Sequence, residues 1–312
     1  MVGLKFRTLS PRYGHNNVAE KKDMRPSAFY TPLRYPGGKG KLVPYIKEIF
    51  EANGLVDGVY VEPYAGGAGV ALELVLHEYV KKVYINDISQ GVAAFWRSVL
   101  DDTDTLCAMI SNAKLTMDEW RRQRDIQKRP EDFDDLTLGF STFFLNRTNR
   151  SGILDAGVIG GKEQKGTWKM DARFNAPDLI QRIHAIARIR NRIEFHQQDA
   201  LDFLDSVIPS LPPKSLIYLD PPYYVKGSEL YLHHYQHDDH VKIAKYVAKI
   251  KNRNWIVSYD NAPEVRPLYS KFRNIVYGLS YSAQDRHKGA EIMFFSNGLT
   301  IPEIVQPMHL AA

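Results

Sequence analysis

Residues 58–78, GVYVEPYAGGAGVALELVLHE, constrain the fold more than any other stretch of this chain. An apolar run ends in a carboxylate, a turn with Gly66, Gly67 and Gly69 follows, and an apolar helical pattern opens at once. A strand that feeds straight into a helix leads to a parallel neighbour, because the helix carries the chain back across the sheet. The pattern recurs. KKVYINDIS (81–89) precedes the amphipathic QGVAAFWRSVLDD (90–102), and strand signals return at IEFHQQDALDFL (193–204), SLIYLDPPYY (215–224) and NWIVSYDN (254–261), with a helix over 240–252. FRNIVYGLSYSA (272–283) and AEIMFFSN (290–297) read as a closing antiparallel pair. Strands alternating with helices predict a doubly wound α/β sheet.

The middle of the chain breaks this rhythm. MDEWRRQRDIQKRPEDFDD (117–135) is dense in charge, and LTLGFSTFFLNRTNRSGIL (136–154) begins as an apolar helix and breaks between Asn146 and Gly152. Residues 155–177 are rich in turn signals or hairpin-like, and 178–193 are helical. We expect 106–189 to be a mainly helical insertion, with the catalytic fold over 29–105 and 190–312. Residues 1–28 are polar, basic and aperiodic and read as a mobile basic arm, with a nucleic-acid-contacting tail as the alternative. The lone cysteine, Cys107, excludes a disulfide framework and fits a core position. The N-terminus lacks the apolar core of a signal peptide, and no apolar run approaches membrane-span length, so a cytoplasmic chain with no membrane partner is expected. A net charge of +5 permits nucleic acid as partner without requiring it.

The turn EPYAGGAG (62–69) lets backbone N–H groups approach a ligand, and Asp87 follows Gly66 by 21 positions at the end of the next strand. A carboxylate there can accept from both hydroxyls of a ribose. The pair predicts an adenosine-containing cofactor. NAD competes, because its fold shares this geometry, but the turn is not G-x-G-x-x-G. Glu62 would also oppose a pyrophosphate. A carboxylate suits S-adenosylmethionine, which carries an ammonium and a sulfonium. Upstream, LRYPGGKGKLVPYI (33–46) offers Gly37 and its neighbours for backbone contact with the cofactor carboxylate, with Lys39 as counter-charge; a plain turn is the bland alternative. Asp199 follows a short strand, where it can take the amine of the cofactor's adenine, cap the next helix, or do both.

LIYLDPPYYV (216–225) ends a buried strand in Asp220. Pro221 and Pro222 fix φ and lack N–H donors, so the Pro221 carbonyl is held as an acceptor beside the Asp220 carboxylate. Two acceptors at fixed separation suit an –NH2 group. Tyr223 adds a flat face for a base. The exocyclic amine of adenine is a weak nucleophile until its lone pair is localised by acceptors on its hydrogens. An electrophilic methyl can then be displaced directly onto it, with positioning and fixed dipoles doing most of the acceleration.

With these residues in hand, the chain resembles the Dam-like (alpha-group) DNA adenine-N6 methyltransferases. RYPGGKGKL, VEPYAGGAG, INDIS, FFLNRT, DALDF and DPPYY stand in that family's order over roughly residues 30–298. The resemblance implies a Rossmann-like S-adenosylmethionine-dependent methyltransferase sheet with an inserted target-recognition domain. It implies Tyr35, Gly37 and Lys39 as first cofactor contacts, and Glu62, Tyr64 and Gly66 as the second group. It makes Asp87 the ribose contact, Asp199 the contact to the cofactor's adenine, and Asp220, Pro221, Pro222 and Tyr223 the catalytic tetrad. Pro36 departs from the alanine of the best-known members.

A duplex substrate requires the target base to leave the stack. Arg147, Asn149 and Arg150 are the candidate base readers, since Arg suits guanine and Asn suits adenine; phosphate contact or solvation is the competing role. YLHHYQHDDH (231–240) invites a metal reading that the chemistry does not need, and a helix cap at Asp238 or Asp239 is expected instead. The expected partners are DNA, no metal and, as a candidate, a cognate restriction endonuclease; a monomer is the default. RNA adenine methylation, a non-catalytic DNA-binding scaffold and an NAD-dependent oxidoreductase are the competing functions. The last leaves the Asp220–Tyr223 tetrad unexplained.

Overall fold

The computed structural model describes residues 30–34, 39–224, 235–279, 290–304 and 308–310. Its centre is a sheet whose core strands are parallel: β1 (Gly58–Glu62), β2 (Val80–Asn86), β3 (Ile193–His196), β4 (Ser215–Leu219) and β5 (Asn254–Asp260). Three antiparallel strands complete it: β6 (Arg273–Leu279), β7 (Glu291–Phe295) and β8 (Met308–Leu310). The order is β3-β2-β1-β4-β5-β7-β6-β8. The closing antiparallel pair is therefore present, with the short β8 added beyond what the sequence pattern predicts.

Every residue of β1 and β4 is buried. Their alternate side chains enter opposite cores, with Tyr60, Leu216 and Tyr218 on one face and Val59, Val61, Ile217 and Leu219 on the other. Burial on both faces explains why these strands read as continuous apolar runs rather than alternating ones. The first face is covered by α1 (Val43–Ala52), α2 (Gly69–Leu76) and α3 (Gln90–Asp101). The second is covered by α8 (Ala200–Val207), α9 (His237–Val247) and the short α10 (Val265–Leu268).

Between α3 and β3 run α4 (Thr103–Ser111), α5 (Met117–Gln127), α6 (Asp135–Thr148) and α7 (Ala176–Arg188). Phe140, Phe143 and Phe144 of α6 share one core with Phe95 and Trp96 of α3. The crossing is close: a Cβ built on Gly139 would stand 2.7 Å from the Ala94 carbonyl oxygen. The segment thus continues the core of the sheet's first face. Its 155–177 stretch forms turns, an isolated bridge from Val158 to Asn149, a short 3-10 helix at Met170–Arg173 and the start of α7, rather than a regular hairpin.

Strand order sets where a ligand can go. The chain runs outward from β1 through β2 to β3, then returns to place β4 on the other side of β1. A crevice opens at such a switch point, beyond the carboxyl ends of the two strands. Glu62 ends β1 there, and Asp220 follows β4.

Candidate active site

The glycine-rich turn after β1 is fastened from several directions. Gly66 adopts φ +48°, a left-handed conformation that side chains resist. Its N–H donates to Asp87 Oδ2 at 2.9 Å, and its carbonyl accepts from Trp96 Nε1 at 2.9 Å. Thr31 Oγ1 donates to the Gly67 carbonyl at 2.5 Å. Asp87 Oδ1 takes the Ser89 N–H at 2.9 Å. Asp87 thus ties the glycine turn to the start of α3.

Glu62 is 5% exposed. Burial and the nearby Asp220 charge raise its pKa well above the carboxylate range, against one backbone hydrogen bond from Ala71. Its Oε2 has no hydrogen-bond partner among the described residues. A buried, unpaired carboxylate oxygen is costly unless a donor or cation arrives to meet it.

Asp220 lies across the switch point. Its Oδ1 accepts from Ser258 Oγ at 2.8 Å and stands 3.3 Å from Lys39 Nζ. Burial raises its pKa to about 6, with Lys39 and Ser258 pulling it down and Glu291 pushing it up. Lys39 is closer to Glu291, donating to its Oε2 at 2.9 Å, and also donates to Tyr223 Oη at 2.6 Å. Tyr223 in turn donates to Glu291 Oε1 at 2.9 Å, and Tyr277 donates to Oε2 at 2.7 Å. Burial works against charge on Lys39, yet Asp220, Tyr223, Glu291 and Tyr277 raise its pKa well above the usual value. Burial likewise pushes Glu291 up, but Lys39 and the two phenols hold it below the carboxylate range. Lys39 therefore serves two carboxylates, Asp220 and Glu291, while Glu62 has no cation beside it among the described residues. A cationic ligand would relieve the burial and mutual repulsion that hold Glu62 and Asp220 toward the neutral form, whereas a pyrophosphate would add to that repulsion.

A family model for the D12 class of N6 adenine-specific DNA methyltransferases matches residues 35–282. The chain belongs to this family. The type II methyltransferase M.MjaIII of Methanocaldococcus jannaschii is 24% identical over 254 residues, which is 75% of this chain and 84% of that protein. The modification methylase StsI of Streptococcus sanguinis is 24% identical over 207 residues; these cover 62% of this chain but only 29% of that larger protein. The match to the solved rRNA methyltransferase aviRa of Streptomyces viridochromogenes covers 84% of this chain and 85% of that one at 14% identity, with a TM-score of 0.39. The family assignment makes DNA the substrate and adenine N6 the methylated atom.

Within this methyltransferase, the predicted residues separate into distinct places. Glu62, Gly66, Asp87, Lys39, Asp220 and Tyr223 gather around the crevice through the contacts above. Tyr35 and Gly37 lie outside the described residues, as do the arm 1–28 and residues 231–234. Tyr64 Oη stands 3.2 Å from Tyr235 Oη, and burial, then Tyr235 and Asp199, raise its pKa well above the phenol value. Asp199 caps α8, accepting from Leu201 N–H at 2.8 Å, so the capping role is present whatever else this carboxylate does. Tyr224 N–H donates to Asp260 Oδ1 at 2.9 Å and fixes the backbone just after Tyr223.

Arg147 and Asn149 do not stand where base readers stand. Arg147 is buried, and its Nε donates to the Pro32 carbonyl at 2.7 Å, with a second nitrogen on the same oxygen. Burial and the neighbouring Arg182 and Arg34 lower its pKa to about 9. Asn149 is fully buried: Oδ1 takes Trp120 Nε1 at 2.7 Å, and Nδ2 serves the carbonyls of Ile153 and Leu154. These two side chains hold the loop together, and only Arg150 of the three is exposed. Lys39, expected beside the cofactor carboxylate, is instead ion-paired with Asp220 and Glu291.

Three site residues escape a reading of the sequence: Ser258, Tyr277 and Glu291. Ser258 and Tyr277 lie within β5 and β6 and Glu291 opens β7, where isolated polar residues carry no motif. Sheet order brings them in, since β5 neighbours β4 and Glu291 lies opposite both Asp260 and Tyr277. Among the described residues no three His, Cys, Asp or Glu side chains gather to hold a metal ion. His240 packs against Tyr224, Tyr235 and Tyr259, and Asp239 Oδ2 caps α9 by accepting from Gln236 N–H at 3.1 Å. No helix among the described residues is long and apolar enough to cross a membrane.

Proposed function

We propose that the chain transfers a methyl group directly from S-adenosylmethionine to N6 of an adenine swung out of duplex DNA at a specific site. The observation that carries this reading is the meeting of two buried acids at the β1–β4 switch point: Asp220 on one side and, on the other, Glu62, whose Oε2 has no hydrogen-bond partner among the described residues.

S-adenosylmethionine, when bound, supplies an electrophilic methyl group. Glu62 would hold its ammonium, Asp87 its ribose and Asp199 its adenine, with the backbone after Gly66 lining the approach. Asp220 and the Pro221 carbonyl accept hydrogen bonds from the adenine amine and localise its lone pair. Ser258 and Lys39 orient the Asp220 carboxylate. The nitrogen sheds one proton in the net reaction, and a carboxylate with a pKa near 6 is matched to receive it near neutral pH. Tyr223, tied by its hydroxyl to Lys39 and Glu291, offers its ring to the extrahelical base.

The relatives' names, a type II methyltransferase and a modification methylase, support a restriction–modification setting with a cognate endonuclease as partner. The chain would act there as a cytoplasmic monomer, with 106–189 as the target-recognition region and Arg150 as its exposed donor. The test is direct. Labelled S-adenosylmethionine is incubated with unmethylated DNA and, separately, with RNA, and the products are digested to nucleosides. N6-methyldeoxyadenosine from DNA alone is the expected result; label confined to RNA, or to another base, would overturn the reading.

A further inference from the structure

Trp168 is 72% exposed, whereas Trp96, Trp120 and Trp255 are at most 5% exposed. An indole left in water on a loop needs an explanation, because burying it elsewhere would be favourable. It lines an open groove of about 440 Å³ together with Arg150, Ile159, Gly160 and Gly166. That volume lies within the roughly 300–1,000 Å³ typical of ligand clefts.

The groove is built rather than loose. Gly160 adopts φ +86°, and a Cβ there would stand 2.8 Å from the Trp168 carbonyl oxygen. Gln164 Nε2 donates to the carbonyls of Ile159 and Gly161, while its Oε1 takes the Met170 N–H at 3.0 Å. The Arg150 side is anchored toward the cofactor turn. Asn146 exchanges hydrogen bonds with the backbone of Arg34 at 2.7 Å each way, and a Cβ on Gly152 would stand 2.3 Å from the Arg34 carbonyl oxygen. Thr31, three residues before Arg34, holds the Gly67 carbonyl. Residues 150–173 carry five Lys and Arg against three Asp and Glu, an excess of positive charge on an exposed loop.

We propose that this groove binds the substrate DNA, with an unstacked base lying on the Trp168 ring and its adjoining phosphate on Arg150. The proposal rests on the reading of DNA as substrate. A flat indole stacks on any base, and a guanidinium lining the same groove can take a phosphate. An excess of lysine and arginine attracts an acidic protein surface as well as a nucleic acid, but of the two only the nucleic acid supplies both a π face and a phosphate.

Fluorescence reads the site directly, since Trp168 is the one tryptophan open to solvent. Iodide quenching is measured on the whole chain with and without an unmethylated mixed-sequence duplex. DNA is expected to shield the iodide-accessible emission. Trp168→Ala is expected to weaken duplex binding by about 5- to 100-fold, with Trp168→Phe recovering most of the loss. The thermal midpoint should not move, because the side chain is exposed. A chain that methylates DNA adenine while Trp168 stays open to iodide, or while Trp168→Ala binds as tightly as the parent, overturns the groove and leaves the activity standing. A parent chain that neither binds nor methylates DNA overturns both.

Discussion

Two buried polar clusters handle their charges in opposite ways. Around Asn146–Asn149 donors meet acceptors: Asn149 uses its oxygen and its nitrogen on three partners, Asn146 pairs with Arg34 and Gly152, and Arg147 closes on Pro32. Around Asp220 the balance is left open. Glu62 Oε2 has no partner among the described residues, Asp220 is held near pKa 6, and one lysine serves two carboxylates. A satisfied network specifies a structure; an unsatisfied one in a crevice specifies a ligand. The donor-rich LNRTNRSG stretch attracts attention as a reader of bases, yet its polarity is spent on architecture.

The contrast can be broken by substitution. Asp220→Ala should lower the methylation rate by on the order of 10²–10⁴, while calorimetry shows S-adenosylmethionine binding close to the parent. Turnover equal to the parent would remove Asp220 from the reacting centre. Glu62→Gln keeps the shape of the side chain and removes its ability to ionise against a cation, and should weaken S-adenosylmethionine binding by about 10- to 100-fold. Parent-like affinity there would mean that the open valence is not the cofactor's.

Asn149→Ala belongs to the satisfied cluster and should cost about 1–3 kcal/mol of stability, read from the denaturant midpoint, with site preference unchanged. A change of preference without loss of stability would restore Asn149 as a base reader. The smallest effect sharpens the Asp220 side. A carboxylate whose pKa is raised to about 6 protonates as pH falls through that value, so methylation should decline below it. The Ser258 hydroxyl favours the charged form, so Ser258→Ala should move that acid limb upward. A limb that stays in place would detach Ser258 from the carboxylate.

Much of the site is legible in the sequence because it is local. The turn after β1, Asp87 at the end of β2 and Asp220 after β4 each stand at a strand's carboxyl end, and strand ends converge at a switch point. What stays hidden is what a distant strand contributes. Glu291 reads as the polar start of AEIMFF, and Ser258 as a hydroxyl within WIVSYD. β8 is three residues long and has no periodicity; its pairing with β6 alone defines it.

The residue order by itself determined the alternation of strands and helices, the acid at the end of each ligand-facing strand and the family to which the chain belongs. These follow from hydrophobic period and from turn chemistry, which act over a few residues. Only the tertiary structure decided which polar side chains are spent and which remain open. It turned Arg147 and Asn149 inward, set Lys39 between Asp220 and Glu291, and left Trp168 in solvent. Those outcomes depend on which groups meet across the sheet and on how much water is excluded around them, and neither quantity is a property of any short stretch of chain.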